Sequence, residues 1–376
     1  MKLIFLITLL TLLYTWGGYL FLLFIFSRFI QIRLRKNEIH PHVTVLVTVH
    51  NEEQSIEKRI KNLFEIDYPK GLSEILIVSD GSTDKTNDIV DSISKEDGQI
   101  KLFKTEGGGK SSAQNKAIPY AKGEIIVLTD ANTLFNKDAV KNLIKNFADE
   151  KVGCVSGKLI LMNENNVIAE SQGFYWKYEI LLRRLESKIG IFHTASGQIL
   201  AFRKRLFRPF ECKYGDDCII PLDILLQGHK VIHEDNAIAY DSFPSTIKAE
   251  FKARIRMTLR NITCTISKYP LLNPFRFPMF SISILSHKIL RWLTPYCMIV
   301  FFVANFFLLN EGYFYRITFC CQLGFYFLGV AGFIAEKNNF RLLIASQVFS
   351  FILANAGFFF GVLKAILGQK IAIYRN

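Results

Sequence analysis

The chain has 376 residues, 50% of them hydrophobic, 14% aromatic and 21% charged, with 46 Lys or Arg against 33 Asp or Glu for a net charge of +13. That composition excludes a disordered chain, a collagen-like repeat and a small disulfide scaffold. A mean hydropathy of +0.22 is high for a soluble chain, and the long apolar runs gather in residues 3 to 26 and 293 to 363, which reads as a membrane protein with a soluble middle.

Leu3 to Phe26 contains no charge, and it exceeds the roughly 20 residues needed to cross a bilayer. A cleaved signal peptide needs a shorter apolar core and a small-residue cleavage site, neither of which is present, so a spanning anchor is expected over residues 1–27. Arg28, Arg33, Arg35 and Lys36 follow at the membrane exit. Positive charge there marks the cytoplasmic side, so the middle of the chain, residues 28–243, is expected to face the cytoplasm from the inner membrane of the cell.

From residue 43 the pattern alternates. Val43 to Val49, Ile75 to Ser79, Ile100 to Lys104, Ile125 to Thr129 and Val152 to Lys158 read as buried strands, and Glu52 to Phe64, Asp84 to Ile93, Ser111 to Ala121 and Lys137 to Ala148 carry helical spacing. Alternation of this kind predicts an α/β domain with a mostly parallel sheet, whose ligands collect at the carboxyl ends of the strands. His50-Asn51-Glu52-Glu53, Asp80-Gly81-Ser82-Thr83-Asp84 and Asp130-Ala131-Asn132 stand directly after three of those strands. Singly, Glu52, Asp80 and Asp84 read as caps and turn formers. Three acidic loops on one rim repel one another unless a cation or polar ligand joins them, which makes the rim the candidate site.

Gly107-Gly108-Gly109-Lys110-Ser111 lacks the glycine that a phosphate-binding P-loop needs at position 104, which is Lys. No GxGxxG follows the first strand, so a dinucleotide-dependent dehydrogenase loses its main support. The glycines remain a flexible turn that brings Lys110 toward a phosphate, or a plain loop.

Between Ser245 and Lys268, Ile247, Phe251, Ile255, Leu259, Ile262 and Ile266 recur at steps of three or four. Residues 244–292 hold nine Lys or Arg against the single acid Glu250. This basic amphipathic stretch predicts attachment to anionic membrane lipids, with nucleic acid the weaker alternative because the flanks are transmembrane. Residues 293–376 supply three further apolar segments, Leu293 to Leu309, Ile317 to Ala335 and Leu342 to Leu363. Parity then puts Glu336, Lys337 and Arg341 inside but Lys364, Lys370 and Arg375 outside, against the charge rule, so one segment is a candidate for a re-entrant or interfacial position. Seven cysteines form no zinc-type cluster or disulfide framework, and His229 and His233 read as ordinary packing or surface residues.

Several motifs appear in order: TVHNEE at 48–53, VSDGSTD at 78–84, GGGKSSAQNKA at 107–117, TDAN at 129–132, YWKYE at 175–179, SGQILAFRK at 196–204 and GDDC at 215–218. Together they resemble the membrane-bound family 2 glycosyltransferases, which include hyaluronan, cellulose and chitin synthases and many bacterial polysaccharide enzymes. The resemblance implies a GT-A nucleotide-sugar fold, a UDP-sugar donor and a lipid-linked or saccharide acceptor. It implies that Asn51 and Glu52 line the uridine pocket, that Asp80 meets the uracil edge, and that Lys110 approaches the phosphates. Asp130 takes the first position of the metal-binding DxD-like motif, and Asn132 stands where its second acid would be. Mg²⁺ or Mn²⁺ is the implied cofactor. Asp217 matches the general base, with Asp216 expected to cap the helix that follows. Gly197, Gln198 and Trp176 are implied on the acceptor side.

The processive synthases carry a QxxRW motif on their amphipathic helix. Here the aligned stretch is Ala253-Arg254-Ile255-Arg256-Met257. The arginines match and are expected to clamp the diphosphate, whereas the Gln and the Trp are replaced, which points to one sugar per encounter. Two alternatives stand beside this inverting transferase: a processive synthase that exports its polymer, and a non-catalytic scaffold that helps polysaccharide export partners. A scaffold needs neither Asp130 nor Asp217.

Overall fold

The computed structural model describes residues 1–162, 167–242, 246–338, 340 and 342–369. Its strands are β1 (Val43–Val49), β2 (Ser73–Asp80), β3 (Ile100–Thr105), β4 (Ile125–Asp130), β5 (Leu134–Phe135), β6 (Val152–Met162), β7 (Leu200–Arg203) and β8 (Lys230–Ser242), in the sheet order β3-β2-β1-β4-β7-β6-β8-β5. The helices are α1 (Lys2–Leu13), α2 (Tyr19–Phe29), α3 (Ile56–Phe64), α4 (Thr86–Glu96), α5 (Lys110–Ala117), α6 (Ala139–Ile144), α7 (Val167–Ile189), α8 (Asp216–Leu226), α9 (Ile247–Ser267), α10 (Pro278–Ile284), α11 (Leu290–Phe306), α12 (Tyr313–Lys337) and α13 (Leu343–Ile366).

Alternation along β1 builds both faces of the core. Val43, Val45, Val47 and Val49 turn to one side, against Ile56, Ile60 and Leu63 of α3. Leu46 turns to the other, against Ala113 and Ala117 of α5, as the two-residue period of a strand requires. β1, β2, β3 and β4 run parallel, so their carboxyl ends share one rim. β7 enters antiparallel between β4 and β6. The five expected strands are present. β5, β7 and β8 are additional, and β6 is longer than its apolar run because β8 pairs with it through ten positions.

Among the described residues, four helical stretches are long and apolar enough to cross a membrane: Lys2–Phe29, Pro278–Phe306, Tyr313–Lys337 and Leu343–Ile366. The second begins well before the expected Leu293 and takes in Lys288 and Arg291. Both are buried, at 9% and 4% exposure, and both are held by polar partners on the soluble domain. Those contacts let charge sit in a stretch that its composition alone would end. α9 lies against α13, where Gly357 and Gly361 leave room for Arg254 and Thr258. Arg341, Lys370 and Arg375, used in the topology argument, lie outside the described residues.

Candidate active site

The rim is built by two loops that brace each other. Asn51 leaves β1 in the left-handed region at φ 55°, a conformation that Asn tolerates better than most residues. Its side-chain oxygen accepts from the Thr83 backbone N–H at 2.8 Å, and its own N–H donates to Ser82. Glu52 accepts from the Ser55 hydroxyl, and Glu53 and Asp84 exchange bonds with the opposite backbone. Asn51 and Glu52 therefore reach the expected rim, where their described side-chain bonds fix loop shape. Asp80 is buried and accepts from Thr105 Oγ1 at 2.7 Å and Gly109 N at 2.6 Å, so its carboxylate anchors the glycine turn. Gly81 permits this: a Cβ there would lie 3.2 Å from Gly107 Cα, at a φ of +69°.

That turn starts α5 and aims Lys110 at the centre of the rim. Lys110 Nζ lies 2.7 Å from Asp130 and 3.0 Å from Asp216. Burial opposes its charge, but Asp130 and Asp216 outweigh burial and raise its pKa. Asp216 also accepts from Gln114 Nε2 at 2.8 Å and from the Asp217 N–H at 3.0 Å. Burial opposes ionisation of Asp216, and Lys110 with Gln114 overrides it, holding the carboxyl below its usual range. The expected cap is corrected here: Gly215 stands at the N-cap of α8 without a side-chain bond, and Asp216 is spent on Lys110 and Gln114.

Asp217 is half-buried beside this cluster. Burial and then Asp216 push its pKa up, against Lys110, Lys288 and Arg260, which pull it down. A raised carboxyl next to one held ionised is a contrast that suits one acid to take up a proton and the other to hold charge. Gly197 packs on the pair, and a Cβ there would fall 3.1 Å from Asp216 Oδ1 and 3.5 Å from Asp217 Cβ. Gly197 thus forms a floor under the acids.

Sequence reasoning missed two residues beneath Asp130. Arg59 of α3 is fully buried, donates to Thr129 Oγ1 at 2.8 Å and to Asn62 Oδ1 at 2.6 Å, and lies 4.4 Å above the Phe135 ring. Asn62 in turn holds both the N–H and the carbonyl of Phe135. The TDAN loop is therefore pinned at both ends, while burial lowers the Arg59 pKa to about 9. Asp241, near the end of β8, is brought to the same place because Leu134 pairs with Tyr240. Burial raises its pKa, Asp130 adds to the rise, and Gln198 and Thr133 oppose it by hydrogen bonds. No local motif flagged Asp241, since only the β5–β8 pairing carries it to the rim.

A divalent cation fits this set. Asp130 supplies a carboxylate, Asn132 is exposed at the rim, and the Lys110 ammonium between two acids marks a place that holds positive charge. Among the described residues no three acids, histidines or cysteines gather as a ready-made metal cage. A cation here would complete its shell with diphosphate oxygens and waters, as Mg²⁺ and Mn²⁺ ordinarily do.

On the membrane side the structure redistributes three expected roles. Trp176 donates to the Leu159 carbonyl at 2.8 Å and carries Arg183 over its ring at 5.2 Å, so its indole secures α7 to β6. Arg254 pairs with Glu250 and lies 5.2 Å from the Tyr175 ring. Arg256 is two residues further along α9, so the two side chains leave the helix in different directions. His229 follows α8 and His233 lies in β8, so they share no helix face.

The model of the glycosyl transferase family 2 matches residues 44–209. A poly-β-1,6-N-acetyl-D-glucosamine synthase of Staphylococcus aureus (strain COL) is 28% identical over 222 residues, which are 57% of this chain and 53% of the relative. A β-monoglucosyldiacylglycerol synthase of Nostoc sp. is 38% identical over 126 residues, 33% of this chain and 27% of the relative. The chain spans about half the length of the first of these curated relatives, and less of the second. Among solved structures, a mannosyltransferase from Pyrobaculum calidifontis, in complex with GDP-Man and Mn²⁺, superposes with a TM-score of 0.72 at 21% identity, covering 98% of this chain and 100% of that one. Residues 44–209 thus match the glycosyl transferase family 2, and the chain has a GT-A-like fold joined to helices that are long and apolar enough to cross a membrane.

Proposed function

We propose that the protein is a membrane-embedded inverting transferase that moves one hexosyl or N-acetylhexosaminyl unit from a UDP-sugar to a hydroxyl of a lipid-linked or saccharide acceptor. The observation that carries this is the convergence of Asp130, Lys110, Asp216 and Asp217 on one rim. A sugar hydroxyl is a poor nucleophile, and a positioned carboxylate that takes its proton during attack contributes roughly a hundredfold or more. Asp217 is that base. Lys110 and Asp130 face the departing diphosphate, the lysine directly and the aspartate as a holder of Mg²⁺ or Mn²⁺ with Asn132. When bound, the metal neutralises charge on the leaving group. Asn51, Glu52 and Asp80 shape the nucleoside pocket through the loops they brace, and Gly197 and Gln198 face the acceptor. The arginines after the first span favour the cytoplasmic side of the inner membrane for this domain.

The test is UDP release by purified full-length protein across a panel of nucleotide sugars, with membrane lipid extract as acceptor. Release that depends on one donor and on the extract supports the reading. No release with any donor overturns it and favours the scaffold. A second reading, a processive synthase, draws support from the match to poly-β-1,6-N-acetyl-D-glucosamine synthases. Against it, Ala253 and Met257 offer neither a hydrogen bond nor a broad aromatic face to grip a growing chain. With limiting acceptor and excess donor, single transfer gives mono-extended product first, whereas long polymer beside untouched acceptor overturns it.

A further inference from the structure

α7 carries Trp176, Glu179, Arg183 and Glu186 at steps of three and four, which puts them on one face of the helix. The last three are buried, at 7%, 8% and 0% exposure, so that face hides charge in place of apolar surface. Buried charges are costly unless partners satisfy them, and those of Glu179 arrive from two directions. Its Oε2 meets Arg291 Nη1 at 2.8 Å and His287 Nε2 at 3.2 Å, both on the second membrane stretch, Pro278–Phe306. Its Oε1 accepts from Arg183 Nε at 3.0 Å.

Arg183 then reaches beyond its own helix. Its Nη1 donates to Ser196 Oγ at 2.8 Å, while the guanidinium carbon lies 5.2 Å from the Trp176 ring centre. An arginine fork serves the carboxylate and the hydroxyl at once, which the point charge of a lysine does not. Ser196 opens the turn that enters β7: its N–H donates to Ser156 Oγ of β6 at 3.0 Å, and its carbonyl accepts from the Ile199 N–H at 3.0 Å. The next residue is Gly197, where a Cβ would fall 3.1 Å from Asp216 Oδ1 and 3.5 Å from Asp217 Cβ. The path from Arg291 through Glu179 and Arg183 to Ser196 is continuous in hydrogen bonds, and one peptide bond carries it to the floor under the two acids.

We propose that Arg183 is a positioning residue of the transfer reaction: it braces the Ser196–Gly197 step against Glu179, and through that step it sets where Asp217 stands relative to the acceptor hydroxyl. The inference rests on the reading of Asp217 as base and of Gly197 as part of the acceptor side. It ties the acceptor side to a membrane stretch through two side chains, Glu179 and Arg183. The donor-side pair, Lys110 of α5 and Asp130 of β4, is held independently of Arg183.

The test is a double-mutant cycle on transfer by the full-length protein in detergent or bilayer, with kcat taken per folded enzyme and the donor KM measured alongside, for wild type, Arg183→Met, Ser196→Ala and the pair combined. Ser196→Ala removes the hydroxyl that Arg183 holds and keeps the N–H bond to Ser156. A small displacement of a reacting group is enough to cost one or two orders of magnitude, so kcat is expected to fall about tenfold in Ser196→Ala and at least as far in Arg183→Met, with the donor KM within about twofold of wild type. Because both changes cut one brace, the combined variant is no slower than Arg183→Met alone. Wild-type kcat in Ser196→Ala, or losses that multiply in the combined variant, overturns the proposal, because an arginine that only stabilises α7 has no energetic coupling to the Ser196 hydroxyl in kcat. Where Arg183→Met does not accumulate folded protein, Arg183→Lys takes its place in the cycle and is read in the same way. If Asp217→Asn retains wild-type turnover, the base assignment fails and this inference falls with it. If Asp217→Asn is inactive and Ser196→Ala keeps full kcat, the Arg183 brace alone is refuted.

Discussion

Lys110 Nζ lies 2.7 Å from a carboxylate oxygen of Asp130, which joins the first residue of α5 to the last residue of β4. The same ammonium reaches Asp216, so one cation bridges two acids that arrive from distant parts of the chain. Charge-assisted bonds of this kind are each worth about 1.5 to 3 kcal/mol. Lys110→Met is therefore expected to weaken donor binding about tenfold or more, with Lys110→Arg retaining part of it. Equilibrium binding of UDP-sugar checks this, and unchanged affinity in Lys110→Met would separate Lys110 from the diphosphate.

Asp217→Asn keeps the shape of the side chain and deletes its proton affinity. Turnover is expected to fall below about a tenth of wild type while donor affinity holds. The sign of the pH dependence follows from the raised pKa of Asp217. The base works as a carboxylate, so the rate falls as pH drops through that raised value, and the acid limb lies above the ordinary Asp range. A limb within the ordinary range would contradict the assignment.

Chelation of divalent metal is expected to abolish transfer, and Asp130→Ala to give the same loss with metal restored. Binding of Mn²⁺ in the presence of UDP, followed by electron paramagnetic resonance, should weaken in Asp130→Ala. Full activity in excess EDTA would sink the metal role.

Glu179 offers a stability test away from the chemistry. It is buried and accepts from Arg183 Nε at 3.0 Å, Arg291 Nη1 at 2.8 Å and His287 Nε2 at 3.2 Å. Burial opposes its charge, but His287 and Arg291 hold its pKa well below the usual value. A depressed pKa contributes stability above the unfolded value near 4.3, and that contribution is lost as pH falls through the folded value. Glu179→Gln is expected to cost about 3 kcal/mol at neutral pH, because it strands buried cations. Thermal unfolding in detergent measures it, and an unchanged midpoint would refute the network.

The parallel half of the sheet was legible because β-branched runs and acidic strand ends follow local rules. Asn51, Asp80 and Asp130 stand on the rim for the same reason. Asp241 and Arg59 were not legible, since each reaches the site through pairing or packing across many residues. Arg254 and Arg256 stand two residues apart on α9, a spacing that the motif alone did not weigh. The early start of the second membrane stretch was hidden by Lys288 and Arg291, whose partners on α7, α8 and α9 no hydropathy window contains.

Tyr14 meets Ser286 at 2.7 Å, Trp16 meets Thr294 at 3.2 Å, and Tyr19 meets Glu186 at 2.8 Å and Ser283 at 3.1 Å. The separation along the chain reaches 278 residues. During synthesis the first membrane stretch is made long before these partners exist, so its hydroxyls wait until the soluble domain has emerged and the second stretch arrives. Glu186 is made before Ser283 and Ser286, so the Tyr19 partner on α7 is the first to exist. Closing so long a loop costs little more than closing a short one, since the entropy grows only with the logarithm of length. The two membrane-flanking stretches are thus tied to each other by polar side-chain bonds, which close only after residues 283–294 have been made.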